Sequence, residues 1–298
     1  MADVTIKGRR DATLPAAWLR EHLSVAAYAL RQNPLSALGF LIVGVMVFLA
    51  IFSPWLTPYP PQKANPLAYL QPPSAAHWFG TDSSGMDIFS RVIAAPRMDI
   101  TIGVCATLLA LVIGAPLGVI SGFFGGVGAE IISRTADILQ SFPVFILAMA
   151  LVAVTGPSPA TIIVVIAFLT SPIYLRLMRT QTYALREAPF VEAARVIGNT
   201  KLKIVVKHIL PLAVPPAIGQ LSVNVGFAIL ITAGLSFVGA GVRVPTPEWG
   251  SMISVGSSTI MTGQWWTTLF PGLAIVVTVL GFSLVSDAVD IILDPRRR

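Results

Sequence analysis

The chain has 298 residues, 55% of them hydrophobic and only 11% charged, with a mean hydropathy of +0.78. Soluble proteins carry about 25% charged residues, so the composition argues against a water-facing globule, a disordered chain and a free-standing nucleic-acid binder. The net charge of +6 then has to be read by position rather than by sum. What remains is a membrane protein. Its single cysteine, Cys105, lies inside an apolar run and is expected to be an inert, buried thiol.

Residues 1–34 carry Lys7, Arg9, Arg10, Arg20 and Arg31 before any long apolar stretch begins. A secretory signal places its apolar core much nearer the start, so this segment is read as retained and cytoplasmic. Crossing the bilayer takes about 20 apolar residues. In chain order the expected spans are residues 35–53, ended by a cluster of prolines from Pro54 onward, and 100–122, closed by Gly122, Gly125, Gly126 and Gly128. The charge-free run 138–175 is too long for one helix, and Thr-Gly-Pro-Ser-Pro at 155–159 divides it into two. A fifth span is expected at 213–238 and a sixth at 268–290.

With the N-terminus inside, the segments 1–34, 123–136, 176–207 and 291–298 are cytoplasmic and hold 16 of the 20 Lys and Arg residues. Basic residues in short loops stay inside, so both termini are placed there. The domain organisation expected is a cytoplasmic segment, 1–34, followed by a transmembrane unit, 35–298, with a long external loop at 54–99 and a cytoplasmic loop at 176–212. Gly114 and Gly118 form a small-xxx-small pair that lets helices approach closely. Pro116, Pro143, Pro172, Pro215 and Pro216 serve either as packing kinks or as bends lining a passage that opens.

No span carries an internal charge cluster, as an ion-driven carrier would need. The glycine-rich stretch 121–128 is followed by no Gly-Lys-Ser/Thr, so it is not a phosphate-cradling loop and ATP must be hydrolysed elsewhere. His22, His77 and His208 are far apart in sequence and give no metal-ligand spacing. Gln220 and Asn224, four apart on the fifth span, either line a passage or hydrogen-bond a neighbouring helix.

The most informative segment is the cytoplasmic stretch Tyr183 to Leu212. Phe190, Ala193, Ala194 and Ile197 share one helical face, with Glu192, Arg195 and Asn199 toward the other. Gly198 interrupts, and Leu202, Val205, Val206 and Ile209 form a second apolar face before Pro211. The reading is a short helix, a glycine-permitted turn and a second helix entering the bilayer. The small Ala193 and Ala194 would admit a partner surface, and Phe190 would supply an apolar knob. An interfacial helix resting on headgroups is the alternative.

Glu192, Ala193, Ala194, Gly198, Leu210 and Pro211 resemble, position by position, the EAA signature of ABC importer permeases, with His208 at a variable position where many families have Ile. His208 is similar to the peptide and nickel branch; Leu212 stands where that branch often has Asn. Residues 79–91 resemble the GTDxxGRDxxSR segment of C-type permeases of dipeptide, oligopeptide and nickel importers, with Met86 in place of Arg. Residues 234–250 and 293–298 resemble that family's outer-face segment and C-terminal ending, so the likeness covers residues 35–298.

The resemblance implies an all-α, six-helix type I permease in the bacterial inner membrane. It implies a half-pore paired with a homologous second permease as a heterodimer, two ABC ATPase subunits, an extracytoplasmic substrate-binding protein and no nucleic acid. ATP and Mg would sit on the ATPases, with no catalytic residue, cofactor or metal on this chain. The coupling residues carried over are Phe190, Glu192, Ala193, Ala194, Arg195, Gly198, His208, Leu210 and Pro211; Gln220 and Asn224 are possible pathway residues. Peptides are the expected cargo, with a nickel or other metal chelate as the alternative, and a self-contained carrier or channel as the rival class. Trp78, Trp249, Trp265 and Trp266 either dock the binding protein or sit in the headgroup belt.

Overall fold

The computed structural model describes residues 34–293 and side chains as far as 289, so the N-terminal segment and the C-terminal Asp-Pro-Arg-Arg-Arg lie outside the described residues. Among the described residues, five helices are long and apolar enough to cross a membrane. They are α1 (Pro34–Leu56), α2–α3 (Ile88–Ala94 and Pro96–Phe124), α6 (Pro159–Arg186), α10 (Pro215–Phe237) and α12 (Trp266–Leu293). Between α3 and α6 lie α4 (Gly126–Ser141) and α5 (Val144–Thr155), at 93° to each other. Between α6 and α10 come α7 (Pro189–Val196), α8 (Lys201–Ile204), a π-helical turn at Val205–Ile209 and α9 (Leu210–Ala213). Helix α11 (Trp249–Ser257) precedes α12.

Close contacts give the helix directions. A Cβ at Gly114, Gly118 or Gly122 on α3 would meet the carbonyl oxygens of Ser171, Leu175 and Arg179 on α6 at 2.2, 2.4 and 2.6 Å. Both numbers climb together, so α3 and α6 run parallel, with only glycine allowing the backbones to touch. Two parallel spans require a return crossing between them, and the bent pair α4–α5 is that crossing. The sequence reading put a full span from residue 138. Instead, α5 has 12 residues, about 18 Å at 1.5 Å each, too short to cross alone. Pro143 is the cause: it pushes Phe142 into extended geometry (φ −86°, ψ 142°), which breaks the helix there.

The remaining pairs are antiparallel. Gly103 of α3 faces Val225 and Ile229 of α10, and Gly226 of α10 faces Val279 and Phe282 of α12. The Ser286 hydroxyl donates to the Gly219 carbonyl at 3.1 Å, and Gly39 and Gly281 let α1 and α12 touch. The ends of α1 at Pro34, α3 at Phe124 and α6 at Arg186 therefore share one side with the α7–α9 loop, as basic-residue placement predicts.

Helix α1 buries only Ser36, Gly39 and Ser53, small residues facing its neighbours, and turns its large apolar side chains outward as a lipid-facing helix does. It also runs past Pro54 to Leu56, so the first proline of the cluster does not end the helix. Cys105 is exposed, against the expectation of a buried thiol: in lipid, an apolar surroundings does not require the protein core.

Candidate functional site: the inner loop and the outer cap

At the inner end, α7 turns two of its residues inward. Val191 and Ala194 are buried in a cluster with Ile204, Val205 and Ile209, which also takes in Met178 and Phe123. Phe190, Ala193, Val196 and Ile197 are exposed, Val196 at 82% and Ile197 at 77%. The sequence reading placed Ala193 and Ala194 on one accessible face; in the structure Ala194 anchors the helix to its own chain and Ala193 alone stays open. The second apolar face divides likewise. Leu202 and Val206 point out, while Val205 and Ile209 point in.

Gly198 ends α7 in left-handed geometry (φ +81°). Its N–H donates to the Arg195 carbonyl at 3.0 Å and the Asn199 N–H to that of Ala194 at 3.1 Å. These two bonds are the Schellman closure, in which an L side chain is strained and glycine is not. Thr200 then caps α8, its hydroxyl accepting from the Lys203 N–H at 3.3 Å. Pro211 lacks an N–H and would press on the Lys207 carbonyl in a regular α-helix; the π turn over Val205–Ile209, closed by Leu210 N–H to Val205 O, absorbs that conflict. His208 is half-buried within this turn, and Glu192 and Arg195 are exposed.

Deeper in the bundle, Asn224 is buried (3% exposed) and accepts from Gln220 Nε2 at 3.5 Å, with Gln220 half-buried. Among the described residues, the buried Tyr174 hydroxyl and Asn224 Nδ2 have no hydrogen-bond partner. In this conformation Asn224 is enclosed within the protomer.

The outer end is capped by folded loops. Asp87 caps α2, accepting from the Ser90 N–H and hydroxyl at 2.8 and 2.7 Å, and lies 2.8 Å from His77 Nδ1. Asp82 accepts from the Ser84 and Met86 N–H groups at 2.8 and 2.9 Å. Arg91, 2% exposed, donates to the carbonyls of Pro61 (2.8 Å) and Pro245 (3.1 Å) and contacts the Met86 sulfur at 2.9 Å. It ties the first external loop to the last. Trp249 and Trp266 are core residues of this cap, 1% and 8% exposed; of the four tryptophans expected at this face, Trp78 and Trp265 present open surface.

Glu248 caps α11 through the Gly250 and Ser251 N–H groups at 2.8 and 2.7 Å, beside the buried Asp99, which accepts from the Trp249 N–H at 3.3 Å. Burial pushes the Glu248 carboxyl above its usual range, and those N–H donors pull part of the way back. A raised acid favours its neutral form when folded, so this contribution is present at acidic pH and is lost as pH rises through the raised value. Thermal unfolding of the protein in nanodiscs should show that slope, and Glu248→Gln, which keeps one acceptor for the cap, should make it shallower. An unchanged slope would remove Glu248 as its source.

A six-crossing helical bundle with a rigid, apolar-faced loop at its inner end and a folded outer cap is the architecture of a type I ABC importer permease. A chain of the MetNI methionine ABC transporter in an inward-facing crystal form matches it with a TM-score of 0.56, over 68% of this chain and 96% of that one, at 20% identity. Residues 114–298 match the model for the binding-protein-dependent transport system inner membrane component, and 23–73 that for the N-terminal transmembrane domain of oligopeptide transport permease C. The chain belongs to that first family, as an inner-membrane permease subunit of an ABC importer. It is not an enzyme, since in this family the ATPase is a separate subunit, and ATPase and binding-protein partners follow from membership.

Among its relatives, the probable D,D-dipeptide transport permease DdpC of Escherichia coli K12 is 40% identical over 90% of each chain. The dipeptide permease DppC of Alkalihalophilus pseudofirmus is 40% identical over 90% of this chain and 88% of that one. The glutathione permease GsiD of Pectobacterium atrosepticum is 34% identical over 96% and 94%.

Proposed function

We propose that this chain forms half of a translocation pathway for short peptides, paired with a homologous permease as a heterodimer and driven by two ATPases that grip α7. The observation that carries this is the exposed face of Phe190, Val196 and Ile197 on a helix closed by Gly198. Apolar side chains held rigidly at the water-facing end of a membrane protein mark a partner surface. ATP and Mg belong on the partners, with none on this chain. Closure of the ATPase pair carries α7 with it and tilts α6 and α10; this needs α7 to be held differently in the two ATPase states. Trp78 and Trp265 on the outer cap suit contact with the binding protein.

Peptide cargo rests on the relatives named for dipeptides and glutathione; nickel chelates are the second reading, supported by the likeness of the 79–91 segment. Proteoliposomes holding the full importer should hydrolyse ATP faster when the binding protein is loaded with a peptide. Stimulation by a nickel chelate and by no peptide would overturn the peptide reading.

A further inference from the structure

Outside the loop and cap, α4 and α6 enclose a cleft of about 490 Å³ lined by Ser133, Asp137, Arg176, Arg179, Thr180 and Tyr183. Arg176 pairs with Asp137 at 2.8 Å, and Arg186 pairs with Glu187 at 2.8 Å while covering the Tyr183 ring. Arg179 has no carboxylate partner among the described residues; its Nη1 donates to the Ser133 hydroxyl, a neutral group. The cleft therefore holds two guanidinium groups against one carboxylate and keeps a net positive charge.

Its depth matters as much as its sign. Arg176 and Arg179 lie about 26 and 30 Å along α6 from its outer end, at 1.5 Å per residue, and the hydrocarbon layer is about 30 Å thick. The cleft thus opens at the level of the inner-leaflet headgroups. On α6, Phe168 is an exposed apolar side chain (44%) about three turns from Arg179 toward the outer end, where an acyl chain would lie. Helix α4 turns Ser133 toward the cleft and leaves Val127, Ile131 and Ile138 exposed on its other side.

We propose that the α4–α6 cleft binds the phosphate of an anionic phospholipid in the cytoplasmic leaflet, with Arg179 as its principal donor and Arg176 as the second. A guanidinium fork offers paired N–H donors to phosphate oxygens, and basic pockets between helices at this face are suited to anionic headgroups. Tyr183, 60% exposed, completes the rim. The bound lipid would brace the bent crossing against α6, the helix that leads directly into α7.

The test uses the complete importer purified from membranes and exchanged into nanodiscs of phosphatidylcholine with or without phosphatidylglycerol. Native mass spectrometry should find phosphatidylglycerol retained, and Arg176→Gln with Arg179→Gln should lower that retention by roughly tenfold. Arg179→Lys, which keeps the charge, should hold most of it, and Arg97→Gln at the outer end should change nothing. Thr180→Trp fills the cleft from an exposed position and should displace the lipid from a folded complex, which covers the case of arginine variants that fail to assemble. Equal retention in wild type, the double variant and Thr180→Trp would overturn the proposal. So would displacement of the lipid by millimolar inorganic phosphate, which would make the cleft a site for a free anion.

Discussion

Gly118→Leu is expected to abolish accumulation of folded protein. A Cβ there would sit 2.4 Å from the Leu175 carbonyl and 2.8 Å from the Met178 Cβ, and neither is the far end of a flexible chain. Overpacking a filled site costs about 1–3 kcal/mol when neighbours can shift; here backbone must separate from backbone along the whole α3–α6 seam. Gly44 on α1 has nothing within 4 Å of its Cβ site and is the matched control. Membrane fractions probed by limited proteolysis should show Gly44→Leu at wild-type abundance and Gly118→Leu absent or degraded. Normal abundance of Gly118→Leu would mean that α3 and α6 do not meet as described.

The second large effect is expected without loss of folding. Val196→Asp with Ile197→Asp should leave insertion and abundance unchanged, because both side chains already face water. If the ATPase covers them, each contributes about 1.5–3 kcal/mol of apolar burial, and two carboxylates in that contact would lower assembly with the ATPase, and uptake, by a hundredfold or more at about 1.4 kcal/mol per factor of ten. Ala194→Asp is the informative contrast: Ala194 is buried in its own chain, so this variant should lose abundance as well. Wild-type uptake by the Val196/Ile197 double variant would end the reading of α7 as the gripped element.

Much of this architecture is written in the sequence at the level of composition and spacing. Four of the expected spans match to within a few residues because long apolar runs and the positive-inside bias are strong, one-dimensional signals. Gly114 and Gly118 announce their close contact by spacing, although that spacing says nothing of the partner helix or of the parallel direction. The bent crossing was legible only as Pro143, one proline among several in apolar stretches, and residue spacing says nothing of the 93° between α4 and α5.

Within the loop, the presence of a helix, a glycine and a second helix could be read, but not the side each residue takes. Ala193 and Ala194 are adjacent in sequence and both small; which one faces inward depends on where Ile204, Val205 and Ile209 return to meet the helix. The tryptophans fail for the same reason. Trp249 and Trp265 share a residue type and a membrane side, yet only the first is enclosed, through its indole N–H to the Val92 carbonyl at 3.2 Å and packing contributed by distant segments.

Side-by-side alignment of α3 and α6 has a bearing on how work crosses the membrane. Welded by three glycines, the two helices act as a single beam about 43 Å long, at 1.5 Å for each of the 29 residues of α3. One tip carries the α7 loop, and the other carries Asp99 against the Trp249 amide. A stiff beam does not dissipate displacement in soft joints: rocking it by about ten degrees would carry one tip roughly 7 Å relative to the other, given that length. The stroke delivered beneath the membrane would then arrive at the outer mouth nearly undiminished.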